Sequence, residues 1–292
     1  MSSQVRTLLI VLAGAGVLLA AIMLTKNIVE YKQAEAEYND LTKFVSEVKN
    51  DDSGDDINDA VLSEDSLAKT ARDESEQIEK IEEKKELKRN YNRSDFPDIE
   101  VDFKSLEKIN TGCVAWLYVD GAKINYPVVQ GSDNEFYLHH TFEMKKNSSG
   151  CIFMDWEVDP KLTSWNTFFY GHNMKNGTMF GHLKNFINNG AVYDKDPYIY
   201  VFRPEGIYRY EIFSYYLDQT DSKMYYTCDS FSEYRAYLRE ATKKSARECR
   251  AKATPDDNIV TLVTCSGSGA NKQRFFVHGV FVDRYLYPEN QK

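Results

Sequence analysis

The first pattern along the chain is an apolar run near the N-terminus. The segment "TLLIVLAGAGVLLAAIMLT" (Thr7–Thr25) contains 19 residues without a charge and lies between Arg6 and Lys26. A helix of this length spans roughly 28 Å, close to the thickness of a bilayer's hydrocarbon core. The pattern predicts a transmembrane anchor. A cleaved signal peptide is the alternative, because Ala20 and Ala21 are small, but the run is longer than a typical signal core.

The next segment, residues 26–95, is charged and poor in apolar residues. The stretches "EAEYNDLTKFVSEVKN" and "SEQIEKIEEKKELKRN" favour helix, and the acidic stretch "DDSGDDINDA" separates them. Because the apolar positions are too sparse to bury a core, the pattern predicts a stalk of two helical pieces around a flexible joint. A coiled-coil partner site is the alternative, although the heptads are few.

From about Phe96 the pattern changes to short apolar runs separated by turns. The predicted strands are "CVAWLYV", "YPVVQ", "GCIFMDW", "NTFFYGH", "YIYVFR", "YRYEIFSYYL", "NIVTLVTC" and "RFFVHGVFVDRYLY". Regularly spaced strands with few helices are typical of a closed or nearly closed barrel. A helix is predicted over 229–247, where Ser230 and Glu233 have capping-box spacing, and "FKSLEKIN" predicts a shorter one. The sequence therefore predicts a mainly β domain over residues 96–292.

Composition narrows the classes of function. The 292 residues are 42% hydrophobic, which is enough for one well-buried domain, and the net charge of -9 argues against a nucleic-acid partner. The cysteines show no CxxC pair and no Cys/His metal spacing, so we expect no metal and no cofactor. Their odd number would leave at least one thiol free outside the cell, and most are expected to be small buried side chains. They are Cys113, Cys151, Cys228, Cys249 and Cys265.

One cysteine lies where chemistry is expected. Cys265 ends the run "NIVTLVTC", and Arg274 begins the next run after a short polar segment. If the two runs pair as a hairpin, Cys265 and Arg274 become neighbours. A cation beside a thiol stabilises the thiolate and can stabilise an oxyanion, which predicts part of a nucleophilic site. The alternative is a cysteine that only ends a strand and an arginine on the surface.

A cysteine nucleophile also needs a proton-transfer partner. His278 lies four residues after the arginine, roughly 13 Å along a strand, and is poorly placed. His139 and His140 lie among aromatic residues and are interpreted as packing or surface residues, while His182 is assigned to a short helix. His172 ends "NTFFYGH", where a predicted strand opens into a Gly- and Asn-rich loop of the kind that exposes functional groups. His172 is therefore the candidate, and a structural histidine with satisfied hydrogen bonds is the alternative.

These segments resemble the sortases. "TLVTC" followed nine residues later by Arg274 resembles the catalytic signature of the family, and "NTFFYGHNMKNGTMFGHLKNF" resembles the histidine segment of class B sortases. "INYPVVQGSDNEFYLHHTF" and "SGCIFMDW" resemble two further class B segments. The helix predicted before the cysteine strand matches the extra helix of that class. The resemblance covers roughly residues 96–287.

The resemblance implies a specific fold and set of residue roles. The fold would be an eight-stranded sortase-type β-barrel with a few helices, after a cytoplasmic N-terminus (1–6), a transmembrane anchor (7–25) and a helical stalk (26–95). Cys265 would be the nucleophile, His172 the general acid/base and Arg274 the residue that orients substrate and stabilises the oxyanion. Substrate contacts are expected from three further residues, Thr264, Ser266 and Asn173.

The resemblance also implies an activity and partners. The protein would be a membrane-anchored cysteine transpeptidase on the outer face of a Gram-positive cell. It would cleave the C-terminal sorting motif of secreted proteins after Thr and transfer the acyl group to an amine of a peptidoglycan precursor or cross-bridge. The alternatives are a cell-wall cysteine endopeptidase that transfers to water and a non-catalytic adhesion domain tethered to the membrane.

Overall fold

The computed structural model describes residues 3–47, 92–265 and 273–290. The helices are α1 (Ser3–Leu41), α2 (Phe103–Ile109), α3 (Asn185–Asn188), α4 (Gly190–Lys195) and α5 (Phe231–Lys244). The first strands are β1 (Val45–Glu47), β2 (Ile99–Val101), β3 (Cys113–Val119), β4 (Ile124–Gln130) and β5 (Ile152–Met154). They are followed by β6 (Asn166–His172), β7 (Tyr198–Arg203), β8 (Gly206–Gln219), β9 (Ile259–Cys265) and β10 (Gln273–Leu286).

Strands β3 to β10 form a closed barrel in the order β10-β8-β7-β3-β4-β5-β6-β9, and β9 pairs with β10 to close it. Six neighbouring pairs are antiparallel, and β4/β5 and β6/β9 are parallel. The β6/β9 pair is possible because the chain between these strands is long enough to form β7, β8 and α5. The predicted mainly β, eight-stranded barrel is therefore confirmed.

Alternation along the strands separates a packed interior from an outer face. The β6, β9 and β10 strands show this well, because Phe169, Leu262 and Val277 lie on one face and Phe168, Thr261 and His278 lie on the other. All six are almost fully buried. Burying a large apolar side chain stabilises a fold by about 1.5–3 kcal/mol. The largest fully buried side chains of the barrel strands include Trp116, Phe153, Phe169 and Phe202.

Helix α5 explains why the outer face of these strands is also buried. The Ser230 hydroxyl accepts a hydrogen bond from the Glu233 backbone N–H (3.3 Å), as the predicted cap requires. The helix buries Tyr234, Tyr237, Leu238 and Ala241, a stripe with helical spacing. The Tyr237 ring packs edge-to-face on two rings of the barrel, with ring centres 6.3 Å apart for Phe168 and 5.8 Å apart for His278.

Helix α1 is continuous through the predicted anchor. Among the described residues it is the one helix long and apolar enough to cross a membrane; its most apolar window has a mean hydropathy of 1.8 and is not buried. The helix ends at Leu41, so the segment predicted to be helical from Glu35 is helical only in its first part. Val45–Glu47 is a strand, in keeping with the poor helix propensity of β-branched Val45.

The chain divides into two compact units. The described residues of 1–46 belong to the same unit as those of 101–292, and Glu47–Glu100 forms the other. In the second unit, the Arg93 guanidinium donates to the carbonyls of Pro97 (2.8 Å) and Ile99 (2.7 Å). The predicted acidic break and second stalk helix lie outside the described residues, and the predicted boundaries at 26 and 96 remain predictions.

Candidate active site

Three adjacent strands bring the candidate residues to one end of the barrel. The parallel register of β6 and β9 places His172 directly beside Cys265. The antiparallel register of β9 and β10 pairs Val263 with Phe276. When the same register is continued for two residues along each strand, Cys265 lies opposite Arg274. The hairpin predicted from the sequence is confirmed by this pairing.

The three positions also share one face of the sheet. Residues paired directly across neighbouring strands lie on the same face. Thr261 and His278 illustrate this, because the Thr261 hydroxyl oxygen lies 2.9 Å from the His278 Nδ1. Cys265 and Arg274 lie an even number of residues from these two positions. The backbone therefore places His172, Cys265 and Arg274 on the outer face that α5 partly covers.

His172 is held by one hydrogen bond that fixes its tautomer. Its Nε2 lies 2.8 Å from the backbone carbonyl oxygen of Leu138. A carbonyl can only accept, so Nε2 carries a proton, and the neutral ring keeps its lone pair on Nδ1. Burial lowers the pKa of His172, the Leu138 carbonyl opposes this shift, and the nearby His139 adds to it. The imidazole is therefore neutral near pH 7, with Nδ1 able to take up a proton.

Arg274 presents a cation at the same end of the barrel. Its guanidinium carbon lies 4.7 Å from the centre of the Tyr225 ring, which is the geometry of a cation–π contact. Its cross-strand partner Asp218 instead accepts from Ser222 (2.7 Å) and pairs with Lys244 (3.1 Å). The Nε of Arg274 is buried and has no hydrogen-bond partner among the described residues. The guanidinium is thus oriented by an aromatic ring rather than by a carboxylate of the described residues.

The three residues predicted to contact substrate differ in their settings. Thr264 is 2% exposed, and its hydroxyl accepts from the Phe275 backbone N–H (2.8 Å), which ties the β9/β10 hairpin together. Asn173 is exposed where β6 opens into the loop. Ser266 and the rest of the β9/β10 turn lie outside the described residues. Substrate binding by these residues remains a prediction.

The other described cysteines are poor candidates for the nucleophile. Cys113, Cys151 and Cys249 are buried, and Cys228 is half-buried. Burial raises the pKa of the Cys113 thiol to about 12 and that of Cys228 to about 11, so both remain protonated at neutral pH. The thiolate is the nucleophilic form, and these environments oppose it.

Three of the other four histidines have structural settings. His278 is fully buried and lies between the Thr261 hydroxyl and the Tyr216 hydroxyl (3.1 Å). His140 stacks on Phe136 with the ring centres 4.0 Å apart. His182 lies in a turn just before α3 rather than in a helix, and its ring lies against Gly177, which has a left-handed φ.

Two features of the site could not be predicted from the sequence. The Leu138 carbonyl is a backbone group, so no residue type marks it. Tyr225 lies in a short 3₁₀ segment, Lys223–Tyr225, that follows no strand or helix pattern. The described residues contain no group of His, Cys, Asp and Glu side chains arranged to hold a metal ion.

Comparisons with known proteins agree with this geometry. The sequence model of the Sortase domain matches residues 117–282, more than half of the chain. Sortase B of Staphylococcus aureus is 35% identical over 164 residues, which cover 56% of this chain and 67% of that protein. Sortase B of Listeria monocytogenes is 29% identical over 191 residues, which cover 64% of this chain and 76% of that protein. The X-ray structure of Clostridium perfringens sortase B is 35% identical, with a TM-score of 0.58, and the match covers 62% of this chain and all of that one.

Proposed function

The chain belongs to the class B sortases, a family of cysteine transpeptidases that cleave sorting motifs, and from this we propose the roles of its own residues. Cys265 is the nucleophile, His172 the general acid/base, and Arg274 the residue that orients the substrate and stabilises the oxyanion. The observation that carries the proposal is the strand register that aligns these three positions at one end of the barrel.

The first half-reaction forms a thioester. The neutral His172 takes the Cys265 thiol proton on Nδ1 as the sulfur attacks the carbonyl carbon of the motif Thr. The resulting tetrahedral oxyanion is stabilised by the Arg274 guanidinium and by backbone N–H groups. When the C–N bond breaks, the imidazolium returns its proton to the leaving amine, and the acyl group stays on sulfur.

The second half-reaction transfers the acyl group to an acceptor amine. The amine attacks the thioester carbonyl, and His172 accepts the proton that the amine loses. As the C–S bond breaks, the imidazolium returns this proton to the sulfur, so that Cys265 leaves as the thiol and His172 is neutral again. The lowered pKa of His172 supports this role, because only the neutral imidazole can accept a proton in both half-reactions. The acceptor we propose is an amine of a peptidoglycan precursor or cross-bridge, and the donor is a secreted protein with a C-terminal sorting signal.

The location we propose is the cell membrane, with the barrel outside the cell. The N-terminal apolar run of α1 is compatible with a single-pass anchor. A protease applied to intact cells should then remove the barrel while leaving residues 1–6 protected. Protection of the barrel in intact cells would contradict this topology.

The activity is tested by cleavage of a library of Thr-containing sorting peptides, with and without an amine acceptor. We expect Cys265→Ala and His172→Ala to lose activity by about 10³-fold or more, because each removes a member of the reacting pair. His182→Ala is the matched control and should keep near-normal turnover. A Cys265→Ala protein that still cleaves would refute the nucleophile, and product that forms only with water would indicate a hydrolase.

A further inference from the structure

The last turns of α1 are packed on a loop of the barrel. Ala34, Tyr38 and Leu41 are buried, and the Tyr38 hydroxyl donates to the Gly150 carbonyl at 2.7 Å. Gly150 belongs to the β4–β5 loop, residues 131–151, which joins β4 to β5. The Tyr38 ring also packs edge-to-face on Tyr126 of β4, with the ring centres 5.5 Å apart. The helix that contains the apolar run therefore ends in direct contact with the catalytic barrel.

Three further hydrogen bonds involve the polar side of the same helix. The Glu37 carboxylate accepts from the Thr141 hydroxyl and from the Glu143 backbone N–H, each at 3.0 Å. Asn147, which is 6% exposed, donates from its side-chain amide to the Glu30 carbonyl at 2.9 Å. These hydrogen bonds connect α1 to three separate points of the β4–β5 loop.

The β4–β5 loop also supplies the carbonyl that holds His172. The carbonyls on either side of Leu138 are fixed within the loop, since Tyr137 accepts from Cys151 N–H (2.9 Å) and His139 accepts from Asn147 N–H (2.8 Å). Gly150 has a φ of +58°, and a Cβ there would lie 2.6 Å from the Tyr137 carbonyl oxygen. Asn147 and Cys151 thus hold the carbonyls on either side of Leu138. Helix α1 binds Asn147 directly, and it binds Gly150, the neighbour of Cys151.

We propose that Tyr38 and Glu37 are positioning residues for the reaction: they hold the β4–β5 loop so that the Leu138 carbonyl accepts from His172 Nε2. The proposal rests on the proposed role of His172. The membrane-proximal helix would then set the tautomer of the histidine and keep its Nδ1 available, in addition to any role in attachment.

The experiment uses the full-length protein in detergent micelles and two conservative variants. Tyr38→Phe removes the hydroxyl that binds Gly150, and Glu37→Gln keeps the side-chain size but cannot accept both hydrogen bonds. The matched controls are Tyr31→Phe and Asp40→Asn on the same helix. Tyr31 is half-exposed, and Asp40 is bonded only to Lys43 (2.6 Å) among the described side chains. The readouts are kcat and KM for the best peptide of the library, and ¹⁵N NMR of the His172 ring.

In the wild type we expect the neutral His172 ring to be the Nε2–H tautomer. In Tyr38→Phe and Glu37→Gln we expect a mixture of tautomers and a kcat lower by about tenfold, with KM changed less than twofold. Such a loss is a fraction of the 10²–10⁴-fold that a positioned acid/base contributes. The two controls should match the wild type in both readouts.

The outcomes separate this inference from the proposed function. If His172→Ala keeps normal turnover, the proposed function fails. If His172→Ala is inactive but Tyr38→Phe and Glu37→Gln keep the wild-type kcat and tautomer, the positioning role is refuted. The positioning role is also refuted if activity falls only in proportion to the unfolded fraction while the His172 tautomer in the folded protein is unchanged. In that case the contact between α1 and the loop contributes to stability alone.

Discussion

Acid should weaken this fold through one buried imidazole, His278. The ring is fully buried between the Thr261 and Tyr216 hydroxyls and against the aromatic rings of Tyr216, Phe276 and Tyr237. Burial lowers its pKa to about 3, against about 6.5 in the unfolded chain. Because the folded-state pKa is depressed, its stabilising contribution is complete above pH 6.5 and is lost as the pH falls towards 3.

The size of the effect follows from the two pKa values. Between pH 7 and pH 4, the unfolded chain takes up a proton at this position and the folded chain does not. The linkage relation then gives a loss of about 3 kcal/mol in the free energy of unfolding. A typical domain has only about 5–15 kcal/mol in total, so one residue would account for much of its acid sensitivity.

The assay is equilibrium urea unfolding at pH 7, 5.5 and 4, followed by the fluorescence of buried Trp116. His278→Gln cannot be protonated, so its free energy of unfolding should fall about 3 kcal/mol less than that of the wild type over this range. Acid effects from other groups are common to both proteins and cancel in the difference. His140→Gln, at a half-buried histidine outside the barrel strands, serves as the control. Parallel pH curves for wild type and His278→Gln would refute the reasoning.

Three further substitutions test other parts of the structure. Arg274→Lys should lower kcat/KM by on the order of 10²-fold, because an ammonium group lacks both the planar contact with Tyr225 and the directed N–H donors of a guanidinium. Peptide cleavage measures this effect, and a wild-type rate would contradict it. Ser230→Ala should cost about 1 kcal/mol through loss of the α5 cap, measured by urea unfolding, and an unchanged midpoint would argue against the cap. Gly150→Ala should cost about 1–3 kcal/mol because of the left-handed φ and the close Tyr137 carbonyl, whereas Gly190→Ala, with only an arginine side chain 3.4 Å away, should cost much less. Equal losses at the two glycines would contradict this.

The sequence predicted the strands well for a physical reason. Successive side chains of each barrel strand point alternately to the apolar interior and to the second face, and this two-residue period can be read directly from the sequence. The predicted runs "CVAWLYV", "NTFFYGH" and "YIYVFR" coincide with β3, β6 and β7. The same alternation was enough to pair Cys265 with Arg274 and to reject His278.

The contacts that orient the site could not be predicted in the same way. The acceptor for His172 is a backbone carbonyl 34 residues away in the chain, and any residue type could supply it. The packing of α1 did leave a signal, because Ala34, Tyr38 and Leu41 repeat at helical spacing. That signal is weak, since the stripe is short and includes one alanine and a tyrosine with a polar hydroxyl among charged neighbours.

The parallel pairing of β6 with β9 has a consequence for when the enzyme becomes active. Contacts between these strands, such as Thr261 to Asn166, join residues 95 positions apart in the chain. Closing so long a loop is slow relative to forming local helices and hairpins. Strand β9, which bears Cys265, is also synthesised after β6, β7, β8 and α5. In the proposed mechanism, a partly folded chain therefore has Cys265 without His172 beside it, and activity begins only when β9 pairs with β6.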